Sequence, residues 1–468
     1  MEINLPENVR LVLSTLHNNG FTVSVVGGCV RDSILGREPN DWDVATSALP
    51  EQVMEMFKGY EVIPTGIQHG TVTVVVYNQP IEVTTYRLDG NYSDGRRPDS
   101  VTYAVSIEDD LMRRDFTMNS IAYNPWQGFI DPYNGIEDIR NGIIRCMGKP
   151  QNRFNEDGLR VLRALRFAAQ LGFEIEEGTS AAIHELKHLL DNISKERIQS
   201  ELTKMLMSDN CGNQVLDEYR DVLFQIIPEM KYMDGFKQED HYYKYEDVFK
   251  HTLYCMGAYY INSQFDKDKE WNDIILRLAL LLHDIGKPHC HSIDEYGVQS
   301  FKGHADVSAK MTYKILKDLK FSNEIVAYTT QLVSYHEFNF DSDVHPKVAV
   351  KELLNKIGET QLRRLITLQK CDLVGQYLYL TDNRRSCFVQ MAKDCLDEVI
   401  GNDECYSLKQ LAVNGDDLIA AGVPQGKEVG IVLNSLLGMV TNDVIENNRE
   451  ILLQHVNKIS KMYKSNNK

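Results

Sequence analysis

The stretch FTVSVVGGCVRDSILGREPNDWDVAT, residues 21–46, constrains this chain more than any other. A β-branched run, TVSVV, meets Gly27-Gly28; CVRDSIL then reads as a helix closing near Gly36, and DWDVAT returns to an extended pattern. Strand, tight turn, helix and strand in this order require a sheet with helices laid against it. The same stretch puts Asp41 and Asp43 two apart on an extended segment, where alternate side chains share a face. Like charges on one face repel, so a cation is expected between them. Carboxylate oxygens held that way suit Mg²⁺, which takes one or two carboxylates and completes its shell with water and substrate phosphates.

Neighbouring segments supply what such a cation needs. VTVVVYNQPIEVTTYR, residues 72–87, reads as a hairpin, with Glu82 mid-strand on the face opposite Ile81 and Val83. A charge flanked by apolar residues is odd for a core and natural as a third carboxylate. Gly27 and Gly28 before a helix let backbone N–H groups approach an anion, and Arg31, about one turn on, can grip a phosphate oxygen. In EDDLMRRDFTMNSIAYNP, Arg113 and Arg114 suit a triphosphate, and Asp115, followed by Asn119, can accept from a ribose hydroxyl. In NEDGLRVLRALRF, Asp157 and Arg160 are three apart, neighbours on one helical face. They form either an intrahelical salt bridge or an acceptor and forked donor offered to a nucleobase. Arg163 and Arg166 drift round that helix, so the arginines cannot all meet one ligand. DPYNGIEDIR is a turn-rich connector whose Asp131, Gly135 and Asp138 read as structural. Phosphate turn, arginine, paired aspartates and strand glutamate in this order favour two-metal nucleotidyl transfer.

Composition narrows the classes. A net charge of −17 argues against a general nucleic-acid coat, yet residues 140–170 carry Arg140, Arg145, Lys149, Arg153, Arg160, Arg163 and Arg166 against only Glu156 and Asp157. That segment is the expected RNA contact. No apolar run approaches the roughly 18 residues of a membrane span, and MEINLPENVR has no basic stretch leading an apolar core. Nine cysteines without a CxxC pair read as free thiols in a reducing cytosol, so a cytoplasmic protein with no membrane partner is expected. The chain reads as four zones: 1–140 mixed strand and helix, 141–225 helical, 226–375 helical and histidine-rich, and 376–468 a helical tail.

The motifs GGCVRD, DWDVAT, IEVTTYR, DGRRPDSV, RRDFTMN, DPYNGIED and NEDGLRVLRALRFAAQLGF, in that order, resemble those of the class II tRNA nucleotidyltransferases, the CCA-adding enzymes and their poly(A) polymerase relatives. The match spans about residues 21–205 and closes on ISKERIQSELTKML, similar to the family's helical neck. The resemblance implies an α+β chain: a small polymerase-β-like nucleotidyltransferase head, then a helical neck, a metal domain and a helical tail. It implies that Asp41 and Asp43 hold Mg²⁺ with Glu82 as third carboxylate. The Gly27-Gly28 turn, Arg31 and Arg114 would meet the triphosphate and Asp115 the ribose. Asp157 and Arg160 would pair with CTP or ATP, supported by Arg163 and Arg166. The implied reaction is untemplated addition of C and A to the tRNA 3′ end; the alternatives are A-addition or poly(A) synthesis by the same family, a choice expected to lie in the loop at 88–112. One departure from the family pattern is Gly158, which lowers helix propensity beside the Asp157–Arg160 pair.

A separate constellation follows. His251 in DVFKHTLYC, His283 and Asp284 in LLLHDIGKP, and Asp372 in QKCDLVGQ stand in the order H…HD…D. Such side chains are costly to bury without a cation, and imidazole with carboxylate suits Mn, Fe, Ni or Zn. The order resembles the HD superfamily of metal phosphohydrolases, and His304 and His336 fall where some of its members have extra ligands. An accessory phosphohydrolase over 226–375 is implied; a main activity there, or a scaffold that has lost its metal, are the alternatives. His289, Cys290 and His291 read as loop.

Overall fold

The computed structural model describes residues 2–90, 101–104, 106–208, 213–238, 247–265, 273–340, 346–377 and 384–466. Residues 94–100 of the DGRRPDSV motif, and much of the loop expected to set nucleotide choice, lie outside them. The chain forms two compact units, Met1–Lys231 with Asp318–Lys320, and Tyr232–Lys317 with Phe321–Lys468.

The first unit is built on strands β1 (Val23–Val26), β2 (Asp43–Thr46), β3 (Glu61–Gly66), β4 (Thr71–Val76), β5 (Gln79–Thr85), β6 (Ala122–Asn124) and β7 (Gly128–Ile130). They make one mixed sheet in the order β3-β4-β5-β2-β1-β6-β7. The expected hairpin is β4–β5, turning through Tyr77 and Asn78 with φ of 52° and 61°. Left-handed residues at both central positions match the twist of the flanking strands. β5 exposes Glu82 between buried Ile81 and Val83. β2 runs parallel to β5 with Asp43 directly opposite Glu82. Helix α1 (Glu7–Asn18) buries Val9, Val12, Leu13 and Leu16 at helical spacing, and the short α2 (Gly28–Ile34) follows β1.

The helical part of this unit includes α3 (Pro150–Glu156), α4 (Leu159–Leu171) and α5 (Lys195–Leu206). The continuous helix expected through NEDGLRVLRALRF is broken. Asp157, with φ −146° and ψ 103°, ends α3, and α4 restarts after Gly158. Gly158 itself keeps helical angles, and glycine is required there because a Cβ would stand 2.9 Å from the Leu189 Cβ. Asp157 therefore precedes α4 and shares no helical face with Arg160. The far end follows expectation, with Gly172 at φ 72° terminating α4.

The second unit includes α6 (Val248–Phe265), α7 (Ile274–Leu282), α8 (His304–Asp318), α9 (Asn323–Tyr335) and α10 (Glu359–Tyr377). α7 is buried on all sides from Ile275 to Leu282, as a central helix must be. Residues after 403 enclose a small core of their own around Leu418, Val432, Leu436, Leu452 and Val456. Among the described residues no helix is long and apolar enough to cross a membrane.

Candidate active site and candidate metal centre

A cleft of about 900 Å³ in the first unit collects every head residue that the sequence singles out: Gly27, Gly28, Arg31, Asp41, Asp43 and Glu82 on the sheet side, then Arg113, Arg114, Asp115 and Asn119, then Asp157, Arg160, Arg163 and Arg166. Burial in the cleft raises the Asp43 carboxyl pKa, Arg114 opposes the rise, and the like charge of Asp41 adds to it. Glu82 is raised in the same direction by burial, then by Asp43 and Asp41. Two carboxyls that resist ionising, with Asp41 beside them, make a site that favours positive charge. The Gly27 turn adapts to the same cause: with φ 82°, it sits where a Cβ would approach the Arg114 Nη1 to 2.6 Å.

The cationic side is pinned from behind. Asp110, fully buried, accepts from Arg113 at 2.8 and 3.0 Å and from Arg114 at 3.3 Å. Burial alone would raise its pKa, but the two guanidiniums hold it below the usual carboxylate range. Arg160 donates to Glu156 Oε2 at 2.6 Å and to the Arg153 carbonyl at 2.9 Å. Arg197 clamps Asp157 with bonds of 2.7 and 3.2 Å, and Arg166 lies 2.7 Å from Glu201. Thus the Asp157 and Arg160 side chains are each fixed by a different residue, while the Arg160 N–H donates to the Asp157 carbonyl at 3.0 Å. Buried pairs of this kind add little net stability, yet they fix where a guanidinium or carboxylate points. Arg31, Arg163 and Arg166 also surround the Phe167 ring at 5.0, 5.5 and 4.1 Å from its centroid.

Asp115 lines the cleft with its carboxylate held by neighbouring residues. Its Oδ1 accepts from the Phe116 N–H at 2.9 Å and Asn119 at 3.1 Å, and its Oδ2 accepts twice from Arg163, at 2.8 and 2.5 Å. Four bonds fill a carboxylate's capacity. Asn119 in turn accepts from Arg31 at 2.8 Å, so Arg31, Asn119, Asp115 and Arg163 form one chain of bonds along the cleft. Burial works against the Asp115 charge, but Arg163 outweighs it and the pKa falls to about 2. A carboxyl depressed below its unfolded value of about 3.9 stabilises the fold above that pH and loses its contribution as pH falls toward 2, about 2 kcal/mol in all. Asp115→Asn is expected to move acid unfolding of this unit to higher pH, read by circular dichroism across a pH titration; an unchanged transition would contradict the pairing.

The basic zone divides. Arg160, Arg163 and Arg166 turn into the cleft, whereas Arg140, Arg145 and Lys149 are exposed, Arg145 reaching Asp138 at 3.1 Å. The outward-facing cations available to RNA are thus fewer than the linear count suggested. Glu156, Arg197, Asp110, His69 and Arg87 were missed by sequence reasoning. Only Glu156, four residues before Arg160, and Asp110, three and four before the paired arginines, carried a local signal.

In the second unit, His251, His283, Asp284, His304, His336 and Asp372 converge in one buried cluster. His251 Nε2 lies 2.9 Å from Asp372 Oδ1, His283 Nε2 3.3 Å from Asp284 Oδ2, and His304 Nε2 3.1 Å from Asp284 Oδ1. His304 and His336 turn Nδ1 to backbone carbonyls at 2.9 and 2.7 Å, leaving their Nε2 atoms face to face at 3.0 Å. Two lone pairs at that distance repel unless a proton or a metal ion lies between them. Lys287 Nζ, 2.7 Å from Asp284 Oδ2, balances part of the charge. Burial would lower the His251 pKa, but Cys255 and Asp372 push it up to about 9; Asp284 and Asp372 lie well below the ordinary range despite burial. His289 and His291 stay apart from the cluster, against Tyr232 and against Phe236 and Phe301.

Comparison with known proteins follows the same division. Residues 23–145 match the family model of the poly A polymerase head domain, residues 172–233 the model described as "Probable RNA and SrmB- binding site of polymerase A", and residues 301–456 that of tRNA nucleotidyltransferase domain 2. A CCA-adding enzyme of Enterococcus faecalis is 33% identical over 448 residues, covering 96% of this chain and 94% of that protein. One of Pediococcus pentosaceus is 32% identical over 459 residues, covering 97% and 98%. A crystal structure of the Bacillus stearothermophilus CCA-adding enzyme in complex with CTP superposes with a TM-score of 0.69 at 28% identity, covering 98% of both chains.

Proposed function

The chain belongs to the family of CCA-adding enzymes, the tRNA nucleotidyltransferases, and from that premise we propose that its head cleft adds C and A to the tRNA 3′ end from CTP and ATP. The observation that carries this is the register Asp43 opposite Glu82, with Asp41 lining the same cleft and the Arg114 charge acting on Asp43. Acidic oxygens grouped on one wall fit Mg²⁺, which when bound supplies activation of the RNA 3′-hydroxyl and neutralises the triphosphate. Arg31 and Arg114 grip the triphosphate. Asp157 and Arg160, each fixed by its own partner, offer an acceptor and a forked donor to the Watson–Crick edge of the incoming base. Asp115 acts through Arg163 and Asn119, holding the cleft wall. Exposed Arg145 and Lys149 suit RNA phosphates. The test supplies tRNAs ending before C, after C and after CC, with each triphosphate singly, and sequences the products. C, C and A in turn are expected; A added to every end would favour the poly(A) reading.

A second reading concerns the other unit. We assign its cluster as an HD-type site for divalent transition metal, supporting an accessory phosphohydrolase; the opposed His304 and His336 Nε2 atoms favour it. Because His251 is pushed up to about 9, metal must displace a proton below that pH. Affinity is expected to rise with pH, with proton release on binding, followed by calorimetry in buffers of differing ionisation enthalpy. His283→Ala with Asp284→Ala is expected to abolish metal-dependent phosphate release while tRNA extension continues.

A further inference from the structure

The buried cluster contains a donor outside the H…HD…D order. Cys255 lies one turn beyond His251 on α6, so the two side chains share a face. Its Sγ is 3.4 Å from His251 Nε2, and together with His283 and Asp372 it forms a group whose ligand atoms all lie within 4.8 Å of one another, every member buried. His283 is fully buried, with Nδ1 on the Leu280 carbonyl at 2.9 Å, which turns Nε2 toward Asp284 Oδ2 at 3.3 Å and Asp372 Oδ1 at 3.8 Å. Here α10 leaves room for nothing larger than glycine: a Cβ on Gly375 would stand 2.7 Å from Cys255 Sγ and 3.2 Å from the His251 ring. Asp284, His304 and His336 form a separate group beside this one.

A thiol used only as a small apolar filler has no need of two imidazoles and a carboxylate whose donor atoms all lie within 4.8 Å of it and of one another. Two imidazoles, one sulfur and one carboxylate are instead four donors of the types that zinc takes. We propose that Cys255 binds metal as a thiolate, so that His251, Cys255, His283 and Asp372 form a position for Zn²⁺ or a metal of similar softness, next to a nitrogen- and oxygen-rich position at Asp284, His304 and His336. This rests on the reading of the cluster as a metal site. Sulfur in the first shell excludes Mg²⁺ from that position. The two units of the chain therefore draw on different metals, hard at the head and soft here.

The full chain would be loaded with Zn²⁺ in the presence of excess Mg²⁺ to fill the head and then dialysed. Metal content would be measured by mass spectrometry and the zinc shell by X-ray absorption. Retained zinc with a sulfur neighbour at about 2.3 Å is expected. Cys255→Ser should lose that neighbour and hold zinc roughly tenfold or more weakly, whereas His336→Ala should keep the sulfur. Retained zinc with only nitrogen and oxygen neighbours overturns the proposal and leaves the metal reading standing. A sulfur shell unchanged in folded Cys255→Ser also overturns it. No retained transition metal overturns both. If Cys255→Ser does not fold, the wild-type shell decides, because Cys255 supplies the one thiol of the group.

Discussion

Asp43→Ala is expected to slow incorporation of CTP and ATP into tRNA by about 10³-fold or more while the chain stays folded. Carboxylates that hold catalytic cations control several kcal/mol of transition-state charge, and about 4 kcal/mol is a factor near 10³. The fold should tolerate the change, since Asp43 opens β2 with its side chain exposed to the cleft. The raised pKa makes a further claim. An acid whose pKa is higher folded than unfolded costs stability when ionised, and the cost disappears as pH falls through its folded pKa. Asp43→Asn should therefore melt higher than the wild type when divalent cations are chelated, and be equally inactive. Single-turnover extension and thermal melts read the two halves; an active Asp43→Ala would refute the assignment.

Asp157→Ala and Arg160→Ala are expected to damage base selection more than triphosphate binding. A good two-point contact with a base edge discriminates by about 1–3 kcal/mol, so correct incorporation should fall roughly 10- to 100-fold relative to UTP or GTP. Because Asp157 is held by Arg197 and Arg160 by Glu156, Arg197→Ala keeps both reading groups and frees one. Its selectivity should lie between wild type and Asp157→Ala. Competition among the four triphosphates on a tRNA ending in CC measures this directly. Unchanged selectivity in Asp157→Ala would remove that residue from base reading.

Local periodicity made much of the head legible. A period of two in β4 and β5, a glycine pair before a helix and the spacing of Asp41 and Asp43 each depend on residues close in sequence. The parallel pairing of β2 with β5, which sets Asp43 against Glu82, depends on a crossover that no local pattern specifies. The break at Asp157–Gly158 had one local signal, the low helix propensity of Gly158, whereas the close approach of Leu189 to that glycine had none, being far along the chain. Arg197 carried no signal, whereas Glu156 and Asp110 had helical spacing to their arginines. The bonds that hold Asp115 were not legible, because two of the four come from Arg163, 48 residues on. In the second unit the histidine and aspartate order pointed to the cluster. That His304 and His336 would meet nitrogen to nitrogen depends on the fold bringing the start of α8 to the residue just past the end of α9.

The central claim is that the wall formed by Asp41, Asp43 and Glu82 brings a divalent cation to the phosphorus under attack. The most direct measurement extends tRNA with CTP carrying sulfur at a non-bridging α-phosphate oxygen, one stereoisomer at a time, in Mg²⁺ and in Mn²⁺ or Cd²⁺. One isomer should react slowly with Mg²⁺ and recover with the softer ions in the wild type, with no recovery in Asp43→Asn. The same slowing in every metal would contradict the claim.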